Sequence, residues 1–234
     1  MADIGDEILR RLRGVYEIFP DDFVSLQAYL RSRSPFEVLV ATILSQNTTD
    51  ASAMKAFNNL ASTIPVTPAS LYRAGVGLIS RAIKPAGIYR VKARHLWRLS
   101  KMIVEMNGGD FEEILRGDPH LVRERLKSLP GVGDKTADIL LTVFGIMERL
   151  PIDTHVYRVS SRLGLIKAGM GYEEAHDLLV RTFREGSRHE AHLLLITHGR
   201  RTCKARFPQC TRCVLRDLCA YYLARRAGPK HNQK

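Results

Sequence analysis

An amine, a carboxylate and four thiols carry the chemistry this sequence can offer. The amine is Lys135, in the run Leu129-Pro130-Gly131-Val132-Gly133-Asp134-Lys135. Residues 119–128 before it have helical spacing, with Leu121, Val122, Leu126 and Leu129 on one side, and residues 136–145 read as a strongly apolar helix. Pro130 biases Leu129 out of the helical region and ends the first helix. Gly131 and Gly133 permit positive φ and leave no Cβ between the backbone and an approaching ligand. The second helix then starts with its N–H groups and positive dipole end exposed, which suits a phosphate. Lys135 falls in its first turn. Such a hairpin can grip a phosphate through backbone amides with a lysine beside it. The plainer reading of the same residues is a glycine turn between core helices.

The carboxylate is Asp153, in Pro151-Ile152-Asp153-Thr154-His155. Asp is among the best N-caps, and a helix follows. The thiols are Cys203-x6-Cys210-x2-Cys213-x5-Cys219, all four cysteines of the chain in seventeen residues. A secreted disulfide protein would spread them as staples. Four local thiolates suit Zn²⁺ or an iron–sulfur cluster, and spacing alone does not choose between them. The run has one CxxC and uneven loops, which wrap a compact cube more naturally than two zinc knuckles. Closing the segment around metal would hold Lys204 and Arg206 out to solvent, where they can meet phosphates. His155, His189, His192 and His198 lie nearby, and each reads as a surface or packed histidine rather than a ligand.

The elements that must position these groups are helices. Strand signals are weak throughout, so the expected fold class is all-α. Residues 6–31 read as two short helices broken at Pro20-Asp21-Asp22. Pro35 opens an almost wholly apolar helix, 36–44, buried all round. It runs into Gln46-Asn47, polar amides at an odd place, and Asp50 is the expected N-cap of a helix over 51–61. Residues 68–83 read as short helices. Lys84-Pro85-Ala86-Gly87-Ile88 leads into a long amphipathic helix over 91–106, which stops near Asn107-Gly108-Gly109. Ile88, apolar beside a glycine, is a core residue or a wedge that props nucleic-acid strands apart. The tail from Arg225 has a disordered composition, and the N-terminal stretch, acidic then basic, lacks a signal-peptide core.

The chain has 234 residues, 45% of them hydrophobic, enough for one large or two small domains with a core. No apolar run reaches a membrane span, so the expectation is an intracellular protein of the cytoplasm or nucleoid. Formal net charge is +12. Residues 200–234 hold ten Lys/Arg and one acid, Asp217, hence +9. A second block, 81–101, carries Arg81, Lys84, Arg90, Lys92, Arg94, Arg98 and Lys101 without an acid. Two clustered cationic blocks favour a polyanion, and nucleic acid in particular.

The whole pattern resembles the endonuclease III family of helix-hairpin-helix DNA glycosylases. The resemblance rests on LPGVGxKTA, on PIDTH with Asp153 eighteen residues past the lysine, on the GIY-x-x-KA loop at 87–93, and on HGRRTC opening the x6-x2-x5 cysteine run. It implies a bifunctional glycosylase and abasic-site lyase acting on double-stranded DNA with damaged bases or abasic sites. Oxidised pyrimidines are the family's substrates. By position, Lys135 would be the amine nucleophile, its pKa lowered by the helix end and nearby cations, and Asp153 the catalytic carboxylate. Asn47 would fill the gap left by a flipped base, with Gln46 the alternative, and Ile88 would wedge the strands. Gly131, Gly133, Lys204 and Arg206 would meet the backbone. Cys203, Cys210, Cys213 and Cys219 would ligate a [4Fe-4S] cluster. The implied organisation is a six-helix domain, 28–147, and a cluster domain made of 1–27 with 148–234, around a cleft, in a monomer. A monofunctional adenine or mismatch glycosylase is one rival, weakened by the presence of Lys135 and by Ala41 where adenine enzymes carry a glutamate. A non-catalytic DNA-binding module with a structural cluster is the other.

Overall fold

The computed structural model describes residues 4–227. It is all-helical among those residues. The chain divides into two compact units, residues 1–18 with 148–234, and residues 19–147. No described helix is long and apolar enough to cross a membrane.

The first unit begins with α1 (Ile4–Arg13). The second unit follows with α2 (Val24–Ser32), α3 (Pro35–Ser45), α4 (Asp50–Thr63), α5 (Pro68–Ala82), α6 (Tyr89–Asn107), α7 (Pro119–Lys127) and α8 (Asp134–Val143). The chain then returns to the first unit with α9 (Thr154–Leu163), α10 (Tyr172–Thr182), α11 (Arg188–Arg201) and α12 (Ala220–Ala227).

Helix α3 is the axis of the second unit. Ser34 caps it by accepting from the Glu37 amide, and Pro35 fills its first position. Every residue from Val38 to Leu44 is buried. Helices α2, α4, α6 and α8 pack around it, so no face of α3 needs to be polar. The hydrophobic core built on it runs from Val24 to Leu141 and holds Phe36, Leu39, Phe57, Leu96 and Leu140. Helix α5 is not continuous: Gly75 (φ 70°, ψ 162°) breaks it, which accounts for the short helices read from the sequence. In the first unit α11 packs on α9 and α1, and α12 packs on α9. Leu12, Val156, Leu179, Phe183 and Leu195 are buried there.

Four local expectations change. Thr49, not Asp50, caps α4; its side chain accepts from the Ser52 amide, and Asp50 is the first helical residue. Leu121 is 62% exposed, because α7 turns Val122 and Leu126 inward instead. Lys92 is buried, so one cation of the 81–101 block faces the core rather than a polyanion. Arg225 and Arg226 belong to α12, where the sequence reads as a disordered tail; residues 228–234 of that tail lie outside the described residues.

The two helices of the hairpin are joined by charge as well as by their turn. Arg123 on α7 donates to Asp138 (2.7 Å), which is fully buried, and to Asp134 (2.9 Å), both on α8. Lys127 adds a third bridge to Asp134 at 3.0 Å. Burial pulls the Asp134 carboxyl up, but Lys127 and Arg123 together hold it below its ordinary value. Removing one partner of a buried pair strands the other charge. Arg123→Ala is therefore expected to lower unfolding stability by roughly 3–5 kcal/mol, measured by denaturant titration, whereas Leu121→Ala should change it by less than about 0.5 kcal/mol.

Candidate active site and cysteine centre

The hairpin turn spans 128–133. Asp118 caps α7 through its side chain, and the Val132 amide donates to the Leu129 carbonyl to close the turn. Gly131 sits at φ +83°, and a Cβ there would come within 3.0 Å of the His95 side chain. The positive φ favours glycine at 131, and the tight approach to His95 adds to that preference. Gly133 differs from expectation. It is extended (φ −112°), is exposed, and a Cβ would meet nothing within 4 Å. The fold leaves 133 open, so a side chain there would hinder only what approaches from outside. Gly133 opens α8 without a side-chain cap. Lys135 lies in the first turn, partly exposed.

Gln46 and Asn47 are separated by the structure. The Gln46 amide nitrogen donates to the Gly131 carbonyl (3.0 Å) and to Thr136 Oγ1 (3.1 Å), so Gln46 ties the end of α3 to the hairpin. Asn47 is exposed and stands in the left-handed region at φ 51°. Ile88 is also left-handed (φ 35°, ψ 31°) and 55% exposed. A β-branched residue at positive φ is strained, and such strain gathers at functional sites. Gly87 precedes it at φ +61°, where a Cβ would lie 3.7 Å from Thr48 Oγ1 and 3.9 Å from the Asn47 carbonyl oxygen. The two apices thus adjoin. Arg81, Lys84, Arg90, Arg94 and Arg98 lie on the same stretch, at least partly open to solvent.

In the other unit Asp153 caps α9. Its Oδ1 accepts from the His155 amide (2.8 Å) and the Val156 amide (2.7 Å). The side chain is partly exposed. The capping reading made from the sequence is therefore correct, and it consumes one of the two carboxylate oxygens.

All four cysteines line one recess with Val159, Leu163, His198 and Tyr221. Burial, then the charge of the neighbouring cysteines, pushes the Cys213 thiol up to about 11, against a backbone amide that lowers it, and burial raises Cys219 too. A cation bound among the four sulfurs would favour their ionised form. Donors already point at the sulfurs: the Leu215 amide reaches Cys213 Sγ at 3.4 Å, and Arg162 reaches Cys203 Sγ at 3.4 Å. Such N–H···S contacts are the usual surroundings of metal-bound thiolates. Among the described residues no three His, Cys, Asp or Glu are gathered as tightly as a single metal ion needs. Lys204 and Arg206 stand in solvent, as expected.

Sequence reading missed what holds the cysteine loop. Arg158 on α9 donates to the carbonyls of Cys203 (3.1 Å) and Gly199 (2.9 Å). Arg162, one turn on, donates to the carbonyls of Lys204 (2.7 Å) and Ala205 (3.0 Å). The signal was available, since two arginines four apart share a helix face. His198 is buried beneath the recess, bonded through Nδ1 to the Tyr16 hydroxyl (3.0 Å), and burial takes its pKa down to about 4. It is neutral at pH 7 and packs against Cys213 with Nε2 3.7 Å from the sulfur.

Residues 40–185 match the model of the HhH-GPD superfamily base excision DNA repair proteins. Endonuclease III of Sulfolobus acidocaldarius is 39% identical over 94% of this chain and 97% of its own length. That of Escherichia coli K12 is 36% identical over 82% of this chain and 86% of its own. A non-covalent endonuclease III–DNA complex superposes with a TM-score of 0.78 at 31% identity, over 95% of this chain and 98% of that one. A trapped endonuclease III–DNA covalent intermediate does so at 0.77 and 32%, over 95% and 98%. A glycine hairpin braced from α3, an open helix start carrying a lysine, and four cysteines in one recess thus meet in a chain that belongs to the endonuclease III family, within the HhH-GPD superfamily of base excision DNA repair proteins.

Proposed function

We propose that Lys135 is the nucleophile of a bifunctional DNA glycosylase and abasic-site lyase that acts on oxidised pyrimidines in double-stranded DNA. The observation that carries this reading is Lys135 in the first turn of α8, beside a glycine that the fold leaves open. The family, and the covalent endonuclease III–DNA intermediate that the fold matches at 32% identity, support it.

A base stacked in a duplex is out of reach, so it must first be extruded, at a cost of a few kcal/mol that is smaller for a damaged base. The open start of α8 and the solvent-facing cations of 81–98 hold the backbone through phosphates. Asn47 is the residue that fills the vacated stack and Ile88 the wedge. The two bonds from Gln46 to the hairpin give it a separate job and favour Asn47 for that role. The Lys135 amine then bonds to C1′ as the glycosidic bond breaks, and the base leaves with the electron pair and takes up a proton. Opening of the sugar ring gives a Schiff base, which makes a C2′ proton acidic. Loss of that proton expels the 3′ phosphate and cuts the strand on the 3′ side. By its place in the family motif we assign Asp153 the carboxylate that offsets positive charge developing in the reaction.

Cys203, Cys210, Cys213 and Cys219 fit a [4Fe-4S] cluster: four sulfurs in one recess, met by N–H donors, with no open ligand position needed. When bound, the cluster holds the 203–219 loop and presents Lys204 and Arg206 to phosphates. Purified protein is expected to be yellow-brown with about four irons per chain. Colourless protein with one zinc would remove the cluster from this account.

Two variants test the chemistry by borohydride trapping on abasic-site DNA. Wild-type protein should form a covalent adduct, and Lys135→Ala should form none. Base release without an adduct would instead mark a monofunctional glycosylase, and neither activity would leave a DNA-binding module. Asp153→Asn keeps the capping acceptor, so its stability should stay within about 0.5 kcal/mol of wild type, while Asp153→Ala loses about 1 kcal/mol. If base release by Asp153→Asn nevertheless matches wild type, the carboxylate has no part in the reaction and Asp153 is only a cap.

A further inference from the structure

Lys92 is the buried charge that the reading above leaves unused. It lies on the first turn of α6 at 1% exposure. Its ammonium donates to the Leu44 carbonyl at 2.8 Å and to the Ala86 carbonyl at 2.6 Å. Burial holds its pKa down, to about 8, and it remains mostly protonated at pH 7.

The identity of those two carbonyls matters. Leu44 is two residues before Gln46, where α3 stops and the chain swings through Gln46 to the left-handed Asn47. Ala86 directly precedes Gly87 and the left-handed Ile88. Each carbonyl lies at the base of a segment whose apex is exposed and strained. Neither apex lies within a regular helix, so neither is stiffened by a run of backbone bonds of its own. One ammonium crosses from one base to the other, and the Ile88 carbonyl in turn accepts from the Lys92 amide at 3.2 Å.

We infer that Lys92 is a positioning residue that couples the two apices, so that Asn47 and Ile88 enter damaged duplex DNA as one rigid unit. This rests on the reading that those two side chains invade the duplex. A lysine is suited to the task because its three donors reach carbonyls in different directions and its stem fills apolar space. Methionine at 92 would keep the volume and remove the donors, leaving two buried carbonyls without this partner.

The test uses a duplex carrying a tetrahydrofuran abasic analogue opposite 2-aminopurine, whose fluorescence rises when it is unstacked. This readout needs no chemistry at the sugar, so it stands even if Lys135 proves not to be a nucleophile. Lys92→Met is expected to lose most of the fluorescence rise at saturating protein and to bind about ten-fold more weakly, the scale of losing one well-placed hydrogen bond. Borohydride trapping on a single-stranded abasic oligonucleotide, which has no stack to invade, should stay within about two-fold of wild type. In an Asn47→Ala/Ile88→Ala background, Lys92→Met should add less than about two-fold in binding, because it acts through side chains no longer present. A full ten-fold loss in that background, or an unchanged fluorescence rise in Lys92→Met, would overturn the inference. Lys92→Gln keeps a side-chain N–H₂ and is expected to fall between the two proteins; it carries the same measurements if Lys92→Met does not fold.

Discussion

The helical hairpin depends on how the turn at Gly131 is held from both sides. His95 of α6 lies 3.0 Å from where a Cβ would be, so the backbone of 131 packs closely on that helix. On the other side Gln46 takes the Gly131 carbonyl and, with the same amide nitrogen, Thr136 of α8. The end of α3, the first half of α6 and the start of α8 are thereby fixed to one another around a single turn. These contacts set where Lys135 stands relative to the apices at 47 and 88. On the proposed reading of Lys135 this matters, because proximity catalysis is sensitive to displacements of about 1 Å.

The same unit shows why an all-apolar helix is useful at the centre of a DNA-binding lobe. Helix α3 is apolar and buried along most of its length, and it ends at the amides Gln46 and Asn47. Its burial on all faces fixes the position of its last carbonyls, and those are what Lys92 and the Gln46 backbone build on. The cost of turning a lysine inward is offset because its ammonium satisfies carbonyls that are buried at the end of a helix, where the next turn is not there to do so.

Much of this was legible in the sequence for identifiable reasons. The hairpin was readable because proline and glycine act through the backbone alone, which is a local property. The cysteine run was readable because its four thiols fall within seventeen residues, which is a local spacing. Long-range pairings were not legible. Nothing in the string says that Gln46 reaches a carbonyl at 131, that Lys92 leaves a basic block to bind carbonyls at 44 and 86, or that arginines on α9 clamp a loop more than forty residues later. Leu121 failed for a related reason: four apolar residues at helical spacing define a stripe, but a nine-residue helix buries only the part that its partners cover.

The capping geometry of Asp153 leaves room for the proposed catalytic reading beside the structural one. Both amide bonds of the cap fall on Oδ1, at 2.8 and 2.7 Å, so capping does not consume the second oxygen. The cap also fixes the side-chain rotamer, because two donors from successive residues leave it one orientation. A carboxylate that must meet developing positive charge gains from being fixed in advance, since no reorganisation is then needed when the charge appears. In the proposed mechanism the cap would thus prepare the carboxylate for its chemical role. Glutamate would keep the charge and asparagine the cap, and only aspartate supplies both at that distance from the backbone.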